Sequence, residues 1–284
     1  MGSIPGGSIR GDRRHGAGER FRRNREENRY MKLRVLGCSG GIGGELRTTA
    51  MLIDDDILID AGTGIGELTL DEMKKVRHIF LTHTHLDHIA CLPLMVDSMF
   101  PHIVEPMMIR SHASAIEVLK KHIFNWAIWP DFASLPTADN PVMRYEPLRM
   151  GDVCTLDGRS FEMMPVNHIV PTVGYRIECA SGVVAFSGDT TTNDTFWEEL
   201  NKRSRLDVLI VEVAFKESFR ELALKSRHYC PSLLAEDLKK LRHRPRIFLT
   251  HNKPGEEDLI VSQCREMVTD RELQRLSGGL VIEL

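Results

Sequence analysis

Residues 82–88 read Thr-His-Thr-His-Leu-Asp-His. Four side chains able to bind a metal ion, His83, His85, Asp87 and His88, therefore fall within six residues. They follow the run His78-Ile79-Phe80-Leu81, which predicts a buried strand over 78–82. Side chains along an extended backbone alternate with a period of two, so His83 and His85 are expected to face the same way. Asp87 and His88 come as the chain turns into a helix, expected over about 88–98, and can face a second ion. Two divalent ions a few Å apart make a hydrolytic centre.

Three more residues complete a pair of sites. They are His168 in Pro165-Val166-Asn167-His168, Asp189 in Phe186-Ser187-Gly188-Asp189-Thr190, and His251 in Leu249-Thr250-His251-Asn252-Lys253-Pro254. His83, His85 and His168 are assigned to the first ion, and Asp87, His88 and His251 to the second. Asp189 is assigned as the bridge. Imidazole with carboxylate suits zinc first, with manganese or iron also compatible. Asp60 is read as a carboxylate that accepts a hydrogen bond from a ligand imidazole and so orients it.

The elements expected to hold these groups are strands that end just before them. Leu33–Leu36 forms one. Met51–Ile53 and Ile57–Ile59 flank Asp54-Asp55-Asp56 as a hairpin. Strands are also expected over 161–165, 173–177, 183–186, 207–211 and 247–250. Helices are expected from Gly62 to about Lys75 and over 113–124, 193–201, 231–242 and 255–268, with Pro231 in a first turn. Candidate groups at strand ends converge where a rigid scaffold can bring them together. The fold class is α/β, with two packed sheets and helices outside.

Composition bounds the rest. The chain has 284 residues, 42% hydrophobic and 27% charged, with net charge −3, as in ordinary globular proteins. It has no apolar run long enough for a membrane helix and no secretory signal. The six cysteines contain no C-x-x-C pair, so a reducing cytoplasm is expected. Residues 1–30 interleave glycine with arginine and are read as a disordered basic extension or an expression remnant. Residues 31–284 form a single domain.

The ordered series Asp60, His83-x-His85-x-Asp87-His88, His168, Asp189, His251 resembles the metallo-β-lactamase fold superfamily, which implies a four-layer αββα sandwich. Within it, the chain is similar to the ribonuclease Z group, whose Glu and His match Glu212 and His228. The long forms of that group carry a tRNA-gripping arm between the positions of His168 and Asp189. Here these are only 21 residues apart, which leaves room for a hairpin and no arm. The stretch His83-Thr84-His85-Leu86-Asp87-His88-Ile89 also resembles the class II cyclic-nucleotide phosphodiesterases. So do Leu36–Gly44, Lys121–Trp126, Trp129–Phe132, Ser226–Pro231 and Thr250–Pro254. Cys91 stands where that signature has Gly or Ser, and Tyr229-Cys230 where members often have Leu and then Thr or Ser.

That resemblance implies hydrolysis of a 3′,5′-cyclic nucleotide, cyclic AMP first, to the 5′-monophosphate by hydroxide held on two divalent ions. His228, oriented by Glu212, is the candidate general acid or phosphate donor, with Asp87 joining the relay. Asn125, Trp126 and Trp129 are candidate substrate contacts, since aromatic faces stack on bases; a hydrophobic lid or dimer contact is the alternative. Lys253 could meet the phosphate or cap a strand end. The expected partner is a small-molecule cyclic nucleotide, with no membrane, no nucleic acid and a homodimer by resemblance. A ribonuclease Z-like RNA phosphodiesterase and a di-iron redox or sensor protein are the other readings. His78, His102, His112, His122 and His243 lack ligand spacing and are expected on the surface or in packing.

Overall fold

Alternation along the strands builds this protein in layers. The computed structural model describes residues 30–284, so the expectation for the N-terminal extension lies outside the described residues. Six strands come first: β1 Lys32–Gly37, β2 Ala50–Ile53, β3 Ile57–Ile59, β4 His78–Phe80, β5 Met107–His112 and β6 Met143–Leu148. The next seven are β7 Val153–Leu156, β8 Arg159–Pro165, β9 Val173–Glu178, β10 Val183–Phe186, β11 Val208–Glu212, β12 Arg246–Thr250 and β13 Leu273–Arg275. The last, β14 Val281–Glu283, returns to the first group. Two seven-stranded sheets result, ordered β14-β1-β2-β3-β4-β5-β6 and β13-β12-β11-β10-β9-β8-β7. Both are mixed: β3 to β6 run parallel, as do β10 to β13, and the remaining neighbours are antiparallel.

Odd and even residues of one strand go to different cores. In β2, Met51 and Ile53 join the cluster between the sheets, while Leu52 joins the cluster under the helices of the first sheet. In β11, Val208 and Ile210 face between the sheets, and Leu209 and Val211 face the outer helices. Three apolar clusters thus separate four layers, the αββα sandwich. Among the described residues no helix is long and apolar enough to cross a membrane, and all six cysteines are unpaired.

The helices differ from the expected spans in instructive ways. The helix expected from Gly62 to Lys75 is two pieces, a 3-10 turn over Thr63–Glu67 and a short helix over Leu70–Met73. Thr69 starts the second with a reciprocal capping box to Glu72, which competes with continuation of the first. Likewise, Leu86–Ile89 is separate from Leu92–Met99, which opens at Pro93 in its first turn. The remaining helices are Ala113–His122, Thr195–Lys202, Arg220–Ser226, Pro231–Leu238 and Glu257–Met267. Strands β5, β6, β7, β13 and β14 were not expected. Met107–His112 carries Arg110, and Met143–Leu148 carries Arg144 and Pro147, among their apolar residues, which hides a strand pattern.

Between the sheets, Phe80 and Phe161 stack with centroids 4.4 Å apart and planes 12° from parallel. Both are fully buried. Phe161→Ala is expected to cost about 3–5 kcal/mol, the loss typical of a large aromatic removed from a packed core. Urea unfolding measures it, and a loss below about 1 kcal/mol would show that this ring does not join the layers.

Candidate metal centre

Each candidate ligand stands just beyond the C-terminal end of a strand, and both sheets contribute. β4 leads to His83, β8 to His168, β10 to Asp189 and β12 to His251. The loop after β4 is pinned from both sides. The Leu81 carbonyl accepts hydrogen bonds from Ser111 Oγ at 2.8 Å and from Tyr175 Oη at 2.9 Å, and the Thr82 carbonyl accepts one from Val173 N at 3.0 Å. Gly188 adopts φ +58°, and a Cβ there would lie 2.8 Å from the Val173 carbonyl oxygen and 3.2 Å from Thr82. Only glycine lets the chain deliver Asp189 this close to His83.

The seven side chains form two sets. His83, His85, His168 and Asp189 bring ligand atoms within 4.8 Å of one another, and so do Asp87, His88, Asp189 and His251. Asp189 belongs to both. Its Oδ2 lies 3.6 Å from His83 Nε2, 3.9 Å from His168 Nε2 and 3.4 Å from His251 Nε2, and its Oδ1 lies 3.3 Å from His88 Nε2. This is the grouping expected from spacing, with the bridging carboxylate at the centre.

Hydrogen bonds on the far side of three rings, His83, His88 and His168, decide which nitrogen turns inward. The Arg227 carbonyl can only accept, so His168 donates from Nδ1 at 2.9 Å and presents Nε2. His88 donates from Nδ1 to Asp60 Oδ2 at 2.7 Å. Thr82 Oγ1 donates to the same Asp60 oxygen at 2.8 Å and is left to accept from His83 Nδ1 at 3.0 Å. Asp60 Oδ1 accepts from Thr82 N at 2.7 Å. Asp60 therefore orients His88 directly and His83 through Thr82, a residue to which spacing assigned no role. Asp60 and His251 both hold the left-handed backbone, at φ 58° and 62°. Strain of about 1–3 kcal/mol at such residues persists only where surroundings over-determine it. Here the backbone bonds Asp60 N to Phe80 O at 2.9 Å and His251 N to Cys38 O at 2.8 Å help to hold it.

The donor set fits divalent metal ions. His83 Nε2, His88 Nε2 and Asp189 Oδ2 are buried with no hydrogen-bond partner, and native structures rarely leave such groups orphaned. Burial lowers the pKa of His83 far below its ordinary value and lowers those of His85 and His168, so these rings are neutral and free to donate a lone pair. Burial also works against charge on His88, but Asp189 and Asp60 outweigh it and raise its pKa well above the ordinary value. Burial works against charge on Asp189 too, but His251 and His88 outweigh it and hold its carboxyl well below the usual range. Carboxylates so placed demand a cation, whether a proton on His88 or a metal ion in its stead.

Beside this centre, His228 donates from Nδ1 to Glu212 Oε1 at 2.7 Å and stacks on His251 with centroids 5.3 Å apart. Burial opposes its charge, yet Glu212 raises its pKa. Glu212 also accepts from the backbone nitrogens of Thr190, Ala214 and Tyr229.

A family model described as a beta-lactamase superfamily domain matches residues 55–252. The chain belongs to the beta-lactamase superfamily. A probable 3′,5′-cyclic-nucleotide phosphodiesterase of Yersinia pestis is 29% identical over 187 residues, which cover 59% of this chain and 52% of that protein. The chain thus spans about half the length of this relative. Among solved structures, unliganded yeast PDE1 superposes with a TM-score of 0.76 at 18% identity. The metallo-beta-lactamase fold protein YhfI from Bacillus subtilis gives 0.74 at 20% identity. Each match covers 89% of this chain and 99% of the other. At such identities these likenesses establish the superfamily fold.

The other residues singled out in the sequence are placed as follows. Asn125 engages its amide within its own loop: Nδ2 donates to the Lys121 carbonyl, and Oδ1 accepts from Ala127 N and Ile128 N. The loop thus uses both lone pairs of Oδ1 and one of the two Nδ2 hydrogens. Phe124 and Phe132 are buried anchors, Trp129 is half-buried, and Trp126 is 64% exposed. Lys253 donates from Nζ to the Gly40 carbonyl at 2.8 Å, so it ties two loops together. His112 caps the helix that follows it, while His78 and His243 sit in hydrogen bonds to Arg110 and to the Leu200 carbonyl. His102 and His122 are exposed. A cavity of about 510 Å³ behind β1 touches Asn252 but none of the metal-competent side chains, and its Arg34, Arg47 and Arg275 are each paired with a carboxylate.

Asp60→Asn tests the orienting network. An amide must turn its NH₂ toward one of three donors, so metal affinity is expected to fall about 10–100-fold. Chelator competition on the folded protein measures it; unchanged affinity would show that Asp60 does not orient the ligands.

Proposed function

We propose that this protein is a binuclear metal-dependent phosphodiesterase that opens 3′,5′-cyclic nucleotides, cyclic AMP first, to the 5′-monophosphate. The observation that carries the reading is the shared bridge: one buried carboxylate, Asp189, serves two complete sets of imidazole and carboxylate donors. His83, His85 and His168 would hold one ion, Asp87, His88 and His251 the other, with zinc first and manganese or iron also suited to the donors. Two bound ions would neutralise the charge of a phosphodiester and supply a nucleophile at neutral pH.

The chain's own groups then handle the leaving oxygen. As the bond from phosphorus to the 3′ oxygen breaks, that oxygen needs a proton. With Nδ1 donating to Glu212, Nε2 carries a proton in the charged ring, the form that Glu212 favours against burial. Glu212 stabilises the charged ring and fixes its direction, so His228 is the general acid and Glu212 its orienter. Asp87, 3.1 Å from His251 Nε2, joins the site as ligand and relay. A small substrate is favoured by what stands between His168 and Asp189, which is the β9–β10 pair with no protruding arm. The Yersinia relative's name supports the same substrate class. Six unbridged cysteines support a reducing cytoplasm.

The test is cyclic AMP hydrolysis by the metal-loaded full chain, with the product separated as 5′-AMP or 3′-AMP. Metal-dependent 5′-AMP formation, abolished in His83→Ala, is the expected result. No turnover with both ions bound would remove the substrate assignment. His228→Ala is expected to lower kcat by about 10²–10⁴-fold while metal content holds. Normal turnover in that variant would end the acid role.

A further inference from the structure

Tyr229, where relatives by resemblance carry Leu, is fully buried beside His228 and ends on a second carboxylate. Its Oη donates to Asp237 Oδ2 at 2.6 Å. Asp237 is itself only 1% exposed and sits on the helix Pro231–Leu238. It accepts from four other groups: Thr192 Oγ1 at 2.9 Å, Asn193 N at 3.0 Å, Trp197 Nε1 at 3.1 Å and Lys240 Nζ at 2.7 Å. Five donors on one buried carboxylate leave it no freedom to move.

The geometry of these partners is specific. Three of the five belong to two segments that flank the site: Thr192 and Asn193 to 190–193 after Asp189, and Tyr229 to 228–229 at His228. Glu212 joins the same two segments on the other side, through Thr190 N, His228 Nδ1 and Tyr229 N. Between the two carboxylates, Thr191 Oγ1 donates to the His228 carbonyl at 3.0 Å. The segments are therefore clasped twice. Glu212 fixes the ring's hydrogen bond, and Asp237 adds the side-chain link from Tyr229 to the 192–193 loop.

We propose that Asp237 is a positioning residue: through Tyr229 and the 190–193 loop, its carboxylate sets where the His228 imidazole stands relative to Asp189. This rests on the reading of His228 as the proton donor. A displaced donor loses rate far faster than a displaced binding group loses affinity, since transfer needs close approach.

The test is a double-mutant cycle on the metal-loaded full chain, with cyclic AMP and bis(4-nitrophenyl) phosphate as substrates. Tyr229→Phe removes one hydroxyl and keeps the ring, and Asp237→Asn is the second variant. Tyr229→Phe is expected to lower kcat about tenfold with KM and metal content unchanged. In a His228→Ala background the same change is expected to do nothing further, because Asp237 acts through that ring. A tenfold loss that persists in His228→Ala would overturn the proposal and leave the acid role standing. A fully active His228→Ala would overturn both, and is recognised before the cycle is closed. Independently of any substrate, the His228 ring resonances, assigned by their loss in His228→Ala, are expected to shift in Tyr229→Phe. Resonances that stay in place would overturn the positioning role.

Discussion

The Asp189 carboxylate is what the centre of this molecule is arranged around. It is buried at the meeting of the two sheets, where an isolated charge would be costly. Four imidazoles face it, one from each of His83, His88, His168 and His251. They come from three strand ends on both sheets, so the carboxylate can be satisfied only once the sandwich has closed. The same need explains the outer ring of bonds. Thr82, Asp60, the Arg227 carbonyl and Glu212 each take up the far nitrogen of a ring or prepare it. Without them the rings of His83, His88, His168 and His228 could flip or change tautomer, and the inward lone pairs of the ligands would be lost.

Backbone strain follows from this convergence. Asp60 and His251 hold left-handed conformations that L-residues adopt at a cost, and both stand at strand ends on the site. Gly40 shows the complement. A Cβ there would lie 2.4 Å from the His251 carbonyl oxygen, so the loop after β1 can lie against His251 only because it has none. The glycine-rich run 40–44 thus serves the site at one identified position, by close approach.

The seven donors were legible because metal ligation tolerates few residue types and the ligand loop is local. A strand followed by His-x-His-x-Asp-His states its own geometry. Asp60 was legible as a carboxylate at a strand end. Thr82 was visible yet silent, since a hydroxyl that links a carboxylate to an imidazole has no pattern of its own. Asp237 left no sign, because its five partners are scattered from Thr192 to Lys240 and meet only in three dimensions. Asn125 shows a second use of one amide: near aromatics it suggests recognition, and in the fold it closes its own turn, as Asn often does. The sheets were read in outline, while β5, β6 and β14 were hidden by mixed composition, and the helix after Gly62 was overestimated because a capping box restarts it.

β14 pairs with β1, and Lys32 faces Glu283 across that ladder. The His251 nitrogen likewise closes on the Cys38 carbonyl. The first strand therefore finds partners near the opposite end of the described chain. Contacts of such long sequence separation slow folding, because loop closure must be achieved before they contribute. On a ribosome, β1 and the loop beside it would wait, incompletely paired, until nearly all of the domain has emerged. A metal ion could find the early ligands 83–88 long before then, but the pocket that makes the ion useful waits for His251, after most of this domain's strands.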